Sequence, residues 1–237
     1  MTIRNWVKFF WNALWIGGGI TGILGLFIRW DAFQPYIAAG EYGEFIAAFV
    51  WMIFLGFTMS VVAQAGFFSY LTVHQFGVNI FRSLTLWNWV QILISAFVVF
   101  DLIFFRFKPA ADTPGQFIMY LFLLIILIAV AFVTAHFKAK WTKKSAYIST
   151  LFFMIAITTL EWLPALMVQK GNIDSWVTLL LFPLLAVNAF QILMLPKYNA
   201  KSEEDRKKLL ARREERKKLQ AQAAKGVPTS KAKKNGR

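Results

Sequence analysis

The sequence has no cysteine and few charged residues. Its 237 residues include two histidines, and Asp, Glu, Lys and Arg together make up 16% of the chain. The lack of cysteine excludes disulfides, thiolate metal sites and a catalytic thiol, and two histidines are too few for a three-histidine zinc site. Soluble domains carry about 25% charged residues, so the low charge content indicates a protein that lies largely in a lipid bilayer.

The sequence contains long runs of apolar residues. Hydrophobic residues make up 58% of the chain, and six stretches reach the roughly 20 residues that a helix needs to cross a bilayer core of about 30 Å. We predict spans at residues 9–28, 45–73, 84–105, 116–136, 146–167 and 175–195. The predicted fold class is all-α, a polytopic six-helix transmembrane bundle over residues 1–196.

The distribution of basic residues predicts the orientation. An even number of spans places both termini on one side of the membrane, and short cytoplasmic loops carry more Lys and Arg than outer loops do. With the N-terminus inside, the inner segments carry seven basic residues and the outer loops four. We therefore expect a multi-pass protein of the cell membrane with cytoplasmic N- and C-termini.

Residues 197–237 form a strongly basic tail, which holds 15 of the 26 Lys and Arg residues. We expect Pro196 to end the sixth span and Ser202 with Asp205 to form a capping box. A charged cytoplasmic helix should then continue to about residue 224, followed by disorder. Attraction to anionic lipid is the expected role of the tail, and no specific nucleic acid is expected as a partner.

Small residues recur at four-residue spacing in the first two spans. Gly18 and Gly22 match the spacing that lets helix backbones approach closely, and Gly56 and Ser60 repeat it in the second span. We interpret these positions as helix-packing faces within the bundle. A dimer interface with a second protein is the alternative.

Polar side chains inside the spans are the candidates for chemistry. Interhelical hydrogen bonding is their expected role, and Arg29 and Arg106 are placed to form ion pairs with the two acidic residues among them. A proton or cation relay is the alternative, since charge inside a bilayer is costly and often functional. The intramembrane candidates are Gln64, Gln91, Asp101, Glu161, Asn188 and Gln191.

No catalytic or cofactor motif is visible. A Gly-rich phosphate loop, an H-E-x-x-H helix and a G-x-S-x-G elbow are all missing from the sequence. His74 and His136 lie at predicted cytoplasmic ends of spans, where polar capping explains them more simply than haem ligation. We expect no enzymatic activity, no metal and no cofactor.

Five segments of the first half carry a family resemblance. Residues 4–10 (RNWVKFF), 28–36 (IRWDAFQPY), 64–77 (QAGFFSYLTVHQFG), 87–91 (WNWVQ) and 99–107 (VFDLIFFRF) resemble the KinB-signalling pathway activation proteins of spore-forming Gram-positive bacteria. The resemblance implies a non-enzymatic membrane accessory protein. Such a protein would promote activation of the sensor histidine kinase KinB, and so phosphate flow into the sporulation phosphorelay.

Two of the resembling segments bracket the second loop, which we place in the cytoplasm. We expect this region to contact the kinase, with His74, Gln75, Arg82, Trp87 and Asn88 near the inner interface. The competing function is a small solute or ion transporter or channel that uses Asp101 and Glu161. A membrane-embedded enzyme acting on lipid ranks last, because a nucleophile or metal constellation is not recognisable.

Overall fold

The computed structural model describes residues 1–167 and 173–225, and this part of the chain is helical without strands. Its seven helices are α1 (Ile3–Ile28), α2 (Trp30–Ala38), α3 (Tyr42–Phe81), α4 (Leu84–Ala110), α5 (Pro114–Trp141), α6 (Ala146–Met167) and α7 (Ile173–Lys225). All except α2 are long and apolar enough to cross a membrane. The all-α prediction and the six long apolar helices are thus confirmed for the described residues.

The long helices expose large apolar side chains. On α4, Trp89, Leu93 and Phe97 are 64% to 71% exposed and follow one another at four-residue spacing. Soluble monomers rarely expose contiguous apolar patches of this kind, because each Å² of apolar surface in water costs about 25 cal/mol. The exposed faces of these helices are therefore suited to lipid.

The chain divides into two compact units. The larger unit comprises Lys8–Pro196, and the smaller comprises Met1–Val7 with the segment that begins at Lys197. The larger unit has an aromatic interior in which Phe67 packs against Phe9 and Phe153 at centroid distances of 6.2 and 5.4 Å. Trp162 is also fully buried and packs edge-on against Phe107.

Helix α3 is longer than a span requires. Its 40 residues correspond to about 60 Å at 1.5 Å per residue, twice the hydrocarbon thickness. It ends at Arg82, whose φ of 51° is left-handed, and Ser83 Oγ then accepts a hydrogen bond from the Leu86 amide to begin α4. The second predicted loop, expected in the cytoplasm, is therefore only two residues long, which brings the end of α3 against the start of α4.

Two helices contain a π-helical turn. In α4 the turn covers Leu102–Phe107, and in α6 it covers Phe153–Ile157, where the Thr158 amide reaches the carbonyl of Phe153. A π-turn has more residues per turn than an α-helix, so it rotates the side chains that follow it and is frequent at functional sites. Neither turn was predicted from the sequence.

Pro196 does not end the sixth long helix, contrary to the prediction, because α7 continues to Lys225. A proline has no amide proton, so the carbonyl four residues earlier, that of Ile192, loses its usual helical donor. Lys138 Nζ on α5 donates to this carbonyl at 2.6 Å. A side chain from another helix thus satisfies the group that the proline leaves open.

The capping box predicted at Ser202 is also wrong. Ser202 lies within α7, where its hydroxyl donates to the Tyr198 carbonyl at 2.7 Å. The described part of α7 ends at Lys225, and the predicted disorder falls on residues 226–237, outside the described residues. Within the charged part of α7, Glu204 and Lys208, four residues apart, form an ion pair at 2.6 Å.

In the smaller unit, the first turn of α1 contacts the charged part of α7. The Asn5 amide donates to Ser202 Oγ at 3.1 Å and to Asp205 Oδ2 at 2.9 Å, and Arg4 forms an ion pair with the same carboxylate at 2.9 Å. Asn5 is fully buried. Hydrogen bonds from Arg4 and Asn5 hold the pKa of Asp205 below its usual value.

Candidate functional site

The junction of α3 and α4 holds a polar and aromatic cluster. Trp87 Nε1 donates to His74 Nδ1 at 3.1 Å, and Gln91 Nε2 lies 3.4 Å from the same nitrogen. Because Nδ1 accepts from the indole, a neutral His74 carries its proton on Nε2. The indole lies flat against Gly77, where a Cβ would overlap it. We call His74, Gly77, Trp87 and Gln91 the junction cluster.

Neighbouring side chains join the junction cluster to α6. The Tyr70 hydroxyl donates to the Ser149 carbonyl at 3.1 Å, and its ring lies 4.8 Å from that of Phe153 and 5.7 Å from that of His74. Trp87 is 4% exposed. The buried Trp87 therefore lies beneath the surface of the junction and holds the neighbouring side chains in place.

The other residues predicted to contact the kinase lie nearer to the surface of the junction. Gln75 and Arg82 are exposed, whereas His74 and Asn88 are half-buried. The Asn88 side-chain oxygen has no hydrogen-bond partner among the described residues. Of the five predicted residues, Gln75 and Arg82 are thus the most accessible to a partner.

The glycine positions bring α1 and α3 into close contact. A Cβ on Gly56 would lie 2.7 Å from the Cα of Gly18, and one on Gly22 would lie 2.9 Å from Ile53. The Ser60 hydroxyl donates to its own helix, to the Gly56 carbonyl at 2.9 Å. These four small residues serve packing within the chain in this structure.

Asp101 lies in α4 and has the ion pair that was expected for it. Its carboxylate lies 3.3 Å from Arg106 Nε, with side-chain exposures of 28% and 35%. Residues five apart point away from each other in an α-helix, so the π-turn between them brings this pair together. The corresponding expectation for Arg29 is wrong, because its guanidinium lies 3.7 Å above the Trp176 ring and not beside a carboxylate.

Glu161 lies in the interior of the larger unit, 8% exposed. Asn188 Nδ2 of α7 lies 2.6 Å from Glu161 Oε2 and 2.9 Å from Thr158 Oγ1. The second carboxyl oxygen, Oε1, points at Gly66 of α3, where a Cβ would overlap it, and has no hydrogen-bond partner among the described residues. We call Thr158, Glu161, Asn188 and Gly66 the Glu161 site.

Three glutamine side chains of the spans are buried and have polar atoms of their own without a partner among the described residues. Gln64 is 3% exposed, and Gln91 and Gln191 are fully buried. Within residues 1–167 and 173–225, Gln64 Nε2, Gln91 Oε1 and both polar atoms of Gln191 have no hydrogen-bond partner. In the same part of the chain, no group of three or more His, Cys, Asp or Glu side chains is placed to hold a metal ion.

Sequence reasoning missed several polar contacts between helices. Asp174 on α7 accepts from Gln116 Nε2 at 3.0 Å and from the Tyr120 hydroxyl at 2.9 Å, both on α5. Lys138 entered only as one of the seven basic residues of the inner segments, and Thr158 and Gly66 were not singled out. Their partners lie on other helices, so spacing along the chain carries no signal for them.

The described part of the chain defines an all-helical protein with six membrane-length apolar helices that are joined by buried polar contacts. A family model described as KinB-signalling pathway activation in sporulation matches residues 17–198. The chain is also 41% identical over 201 residues to the KinB-signaling pathway activation protein of Bacillus subtilis (strain 168), covering 85% of this chain and 100% of that protein. The chain belongs to the KinB-signalling pathway activation family, as the resemblance implied. No solved structure matches it.

The family match includes both candidate sites. The junction cluster and the Glu161 site lie within residues 17–198. The contact of Arg4 and Asn5 with Asp205 lies outside that range. The two interior sites thus belong to the part that the family shares.

Proposed function

We propose that this chain is a multi-pass membrane protein that promotes activation of the KinB sensor histidine kinase, and that it does so by contact and not by chemistry of its own. The observation that carries the proposal is the family match over residues 17–198, together with the printed name of the Bacillus subtilis relative. The family description and the relative's name support a role in KinB signalling during sporulation. Direct contact with the kinase is a further part of the proposal.

The junction of α3 and α4 is the surface that we assign to the kinase. The buried indole of Trp87, fixed by His74 and by Gly77, gives the junction one shape, and Gln75 and Arg82 offer polar groups beside it. A preorganised surface loses little entropy on binding. It can shift the kinase between inactive and active states only by binding the active state more tightly.

We also propose that both termini are cytoplasmic. The contacts of Arg4 and Asn5 with Asp205 support one side for the two ends, because they bring the N-terminus to the charged part of α7, beyond the sixth predicted span. The basic residues at and just after the end of α5, Lys140, Lys143 and Lys144, favour the cytoplasm for that side under the positive-inside rule.

The charged part of α7 is proposed to lie near anionic lipid. Residues 206–208, 212–213 and 216–218 are basic and exposed. Each Lys or Arg close to an anionic membrane surface contributes about 1 kcal/mol to the attraction. The segment would then hold the C-terminal part of the protein at the cytoplasmic leaflet.

The transporter or channel reading has less support. It requires Asp101 and Glu161 to act on one solute, and Asp101 is already paired with Arg106 on its own helix. Glu161 is then a single buried carboxyl, and one carboxyl fits a binding site for one proton or solute better than a path through the membrane. Flux of a solute in proteoliposomes that is lost in Asp101→Asn would restore this reading.

Co-purification from mild detergent tests the proposed contact. We expect the KinB kinase to co-purify with this chain, and the double variant Gln75→Ala, Arg82→Ala to reduce the yield of complex several-fold. Lys108→Ala is the matched control, since Lys108 is an exposed basic residue at the opposite end of α4. An undiminished complex in the double variant would contradict the assigned surface.

A further inference from the structure

Glu161 is a carboxyl without a counter-ion. It is more than nine-tenths buried, and among the residues that the structure describes no basic side chain forms an ion pair with it. A charged carboxylate inside a bilayer costs several kcal/mol unless it is paired. Its polar contact is a neutral amide, that of Asn188, which offsets only part of that cost.

The spacing of the Glu161 site fits a carboxyl that carries a proton. The heavy atoms of Asn188 and Glu161 lie 2.6 Å apart, a distance that is usual for O–H···O bonds and short for N–H···O bonds. A side-chain amide can present either its oxygen or its nitrogen at nearly the same place. With the amide oxygen towards Glu161, the protonated carboxyl donates to Asn188 Oδ1, and the Thr158 hydroxyl donates to the same oxygen.

We propose that the Glu161 site is an intramembrane proton-binding site, in which Glu161 holds the proton and Asn188 and Thr158 complete its hydrogen bonds. The ligand is a proton, since the site offers one carboxyl and an amide and no ring of oxygens that a metal cation would need. The inference is independent of the proposed contact with the kinase.

Several titratable groups of the surrounding helices have partners other than Glu161. On α3, Tyr70 bonds to the Ser149 carbonyl and His74 to Trp87, while on α4 Asp101 is paired with Arg106. On α5 and α7, the engaged groups are Tyr120 with Asp174, and Lys138 with the Ile192 carbonyl. On α1, Arg4 and Lys8 lie near the start of the helix, and Arg29 directly follows its end. Glu161 is thus left to bind its proton without a competing charge in contact.

Loss of the proton would act on helix packing. Gly66 leaves no space beside Glu161 Oε1, because even a Cβ there would overlap the carboxyl oxygen. A charged carboxylate needs water or a cation, and either one requires α6 to move away from α3. The π-turn that ends at Ile157, directly before Thr158, is a place where the helix can change its hydrogen-bond register.

Infrared spectroscopy of the full-length protein in liposomes at neutral pH tests the proposal. We expect a carboxylic acid C=O band in the native chain, its loss in Glu161→Gln and its retention in Asp101→Asn. Glu161→Gln preserves the size of the side chain and one hydrogen bond to Asn188. Asp101 is the matched control because it is an acidic residue of a long apolar helix that has an ion pair.

A second variant gives a result that does not depend on Glu161→Gln folding. Asn188→Leu keeps the acid but removes its hydrogen-bond partner, so the C=O band should move to higher frequency. The proposal is overturned if the native chain has no acid band, or if Glu161→Gln leaves that band unchanged. An unmoved band in Asn188→Leu would remove Asn188 from the site.

Discussion

Asp101 on α4 and Glu161 on α6 are both acidic residues within long apolar helices, yet their surroundings differ. Asp101 is 28% exposed and lies 3.3 Å from Arg106, five residues further along its own helix. Glu161 is 8% exposed and contacts an amide from another helix. A partly exposed charge such as that of Asp101 is paired with a neighbour on its own helix, whereas a buried polar group such as Glu161 depends on packing against another helix.

Lys138 provides the sharpest test of that dependence, because its partner is a backbone carbonyl on another helix. Lys138→Met should destabilise the protein by about 1–3 kcal/mol, since the Ile192 carbonyl would lose its donor. Pro196→Ala should reduce this cost, because alanine returns an amide proton to the same carbonyl. Thermal unfolding of both single variants and the double variant measures the coupling, and strictly additive effects would contradict it.

Gly66 tests whether close packing holds the Glu161 site. Gly66→Ala places a Cβ on Glu161 Oε1 and should cost about 1–3 kcal/mol of stability through overpacking. Gly19→Ala is the control, since a Cβ at Gly19 meets nothing within 4 Å. Unfolding in detergent should separate the two variants, and equal stabilities would show that the contact at Gly66 is not tight.

The ion pair of α4 should have a smaller effect. Arg106→Gln removes the partner of Asp101, but both side chains are about one-third exposed, so the expected loss is at most about 1 kcal/mol. Salt should reduce the difference between the variant and the native chain, because exposed charges are screened. A loss as large as that in Gly66→Ala would mean that Asp101 is as dependent on its partner as a buried group.

The smallest effect is expected at Asp205, a half-buried acid in the smaller unit. Hydrogen bonds from Arg4 and Asn5 lower the pKa of Asp205 from its usual value of 3.8. The contact therefore stabilises the folded protein above pH 3.8, and this stabilisation is lost as the pH falls through the lowered pKa. Hydrogen exchange of the α1 N-terminus should increase below about pH 4. Asp205→Asn should remove that pH dependence, and an unchanged profile in this variant would assign it to another group.

The sequence was sufficient for the elements that depend on neighbouring residues. Runs of about 20 apolar residues identified the six long helices, and the proximity of Asp101 and Arg106 along the chain suggested their pair. Contacts between helices were not predictable in this way. The contact of Glu161 with Asn188 depends on the register of α6 against α7, and the continuation of α7 through Pro196 depends on Lys138, 54 residues before its partner.

Arg29 shows why charge alone was misleading. We expected Arg29, at the end of a span, to pair with a carboxylate. An aromatic face also attracts a guanidinium, and the Trp176 ring lies 3.7 Å from that of Arg29. The candidate residues at the junction were indicated by the resemblance, whereas the burial of Trp87 and its bond to His74 emerged only from the structure.

Autophosphorylation of KinB in liposomes, measured with and without this chain, tests the central claim most directly. We expect faster autophosphorylation when the chain is present, and a return towards the basal rate with Gln75→Ala, Arg82→Ala but not with Lys108→Ala. An autophosphorylation rate that is the same with and without the native chain would contradict direct activation by contact.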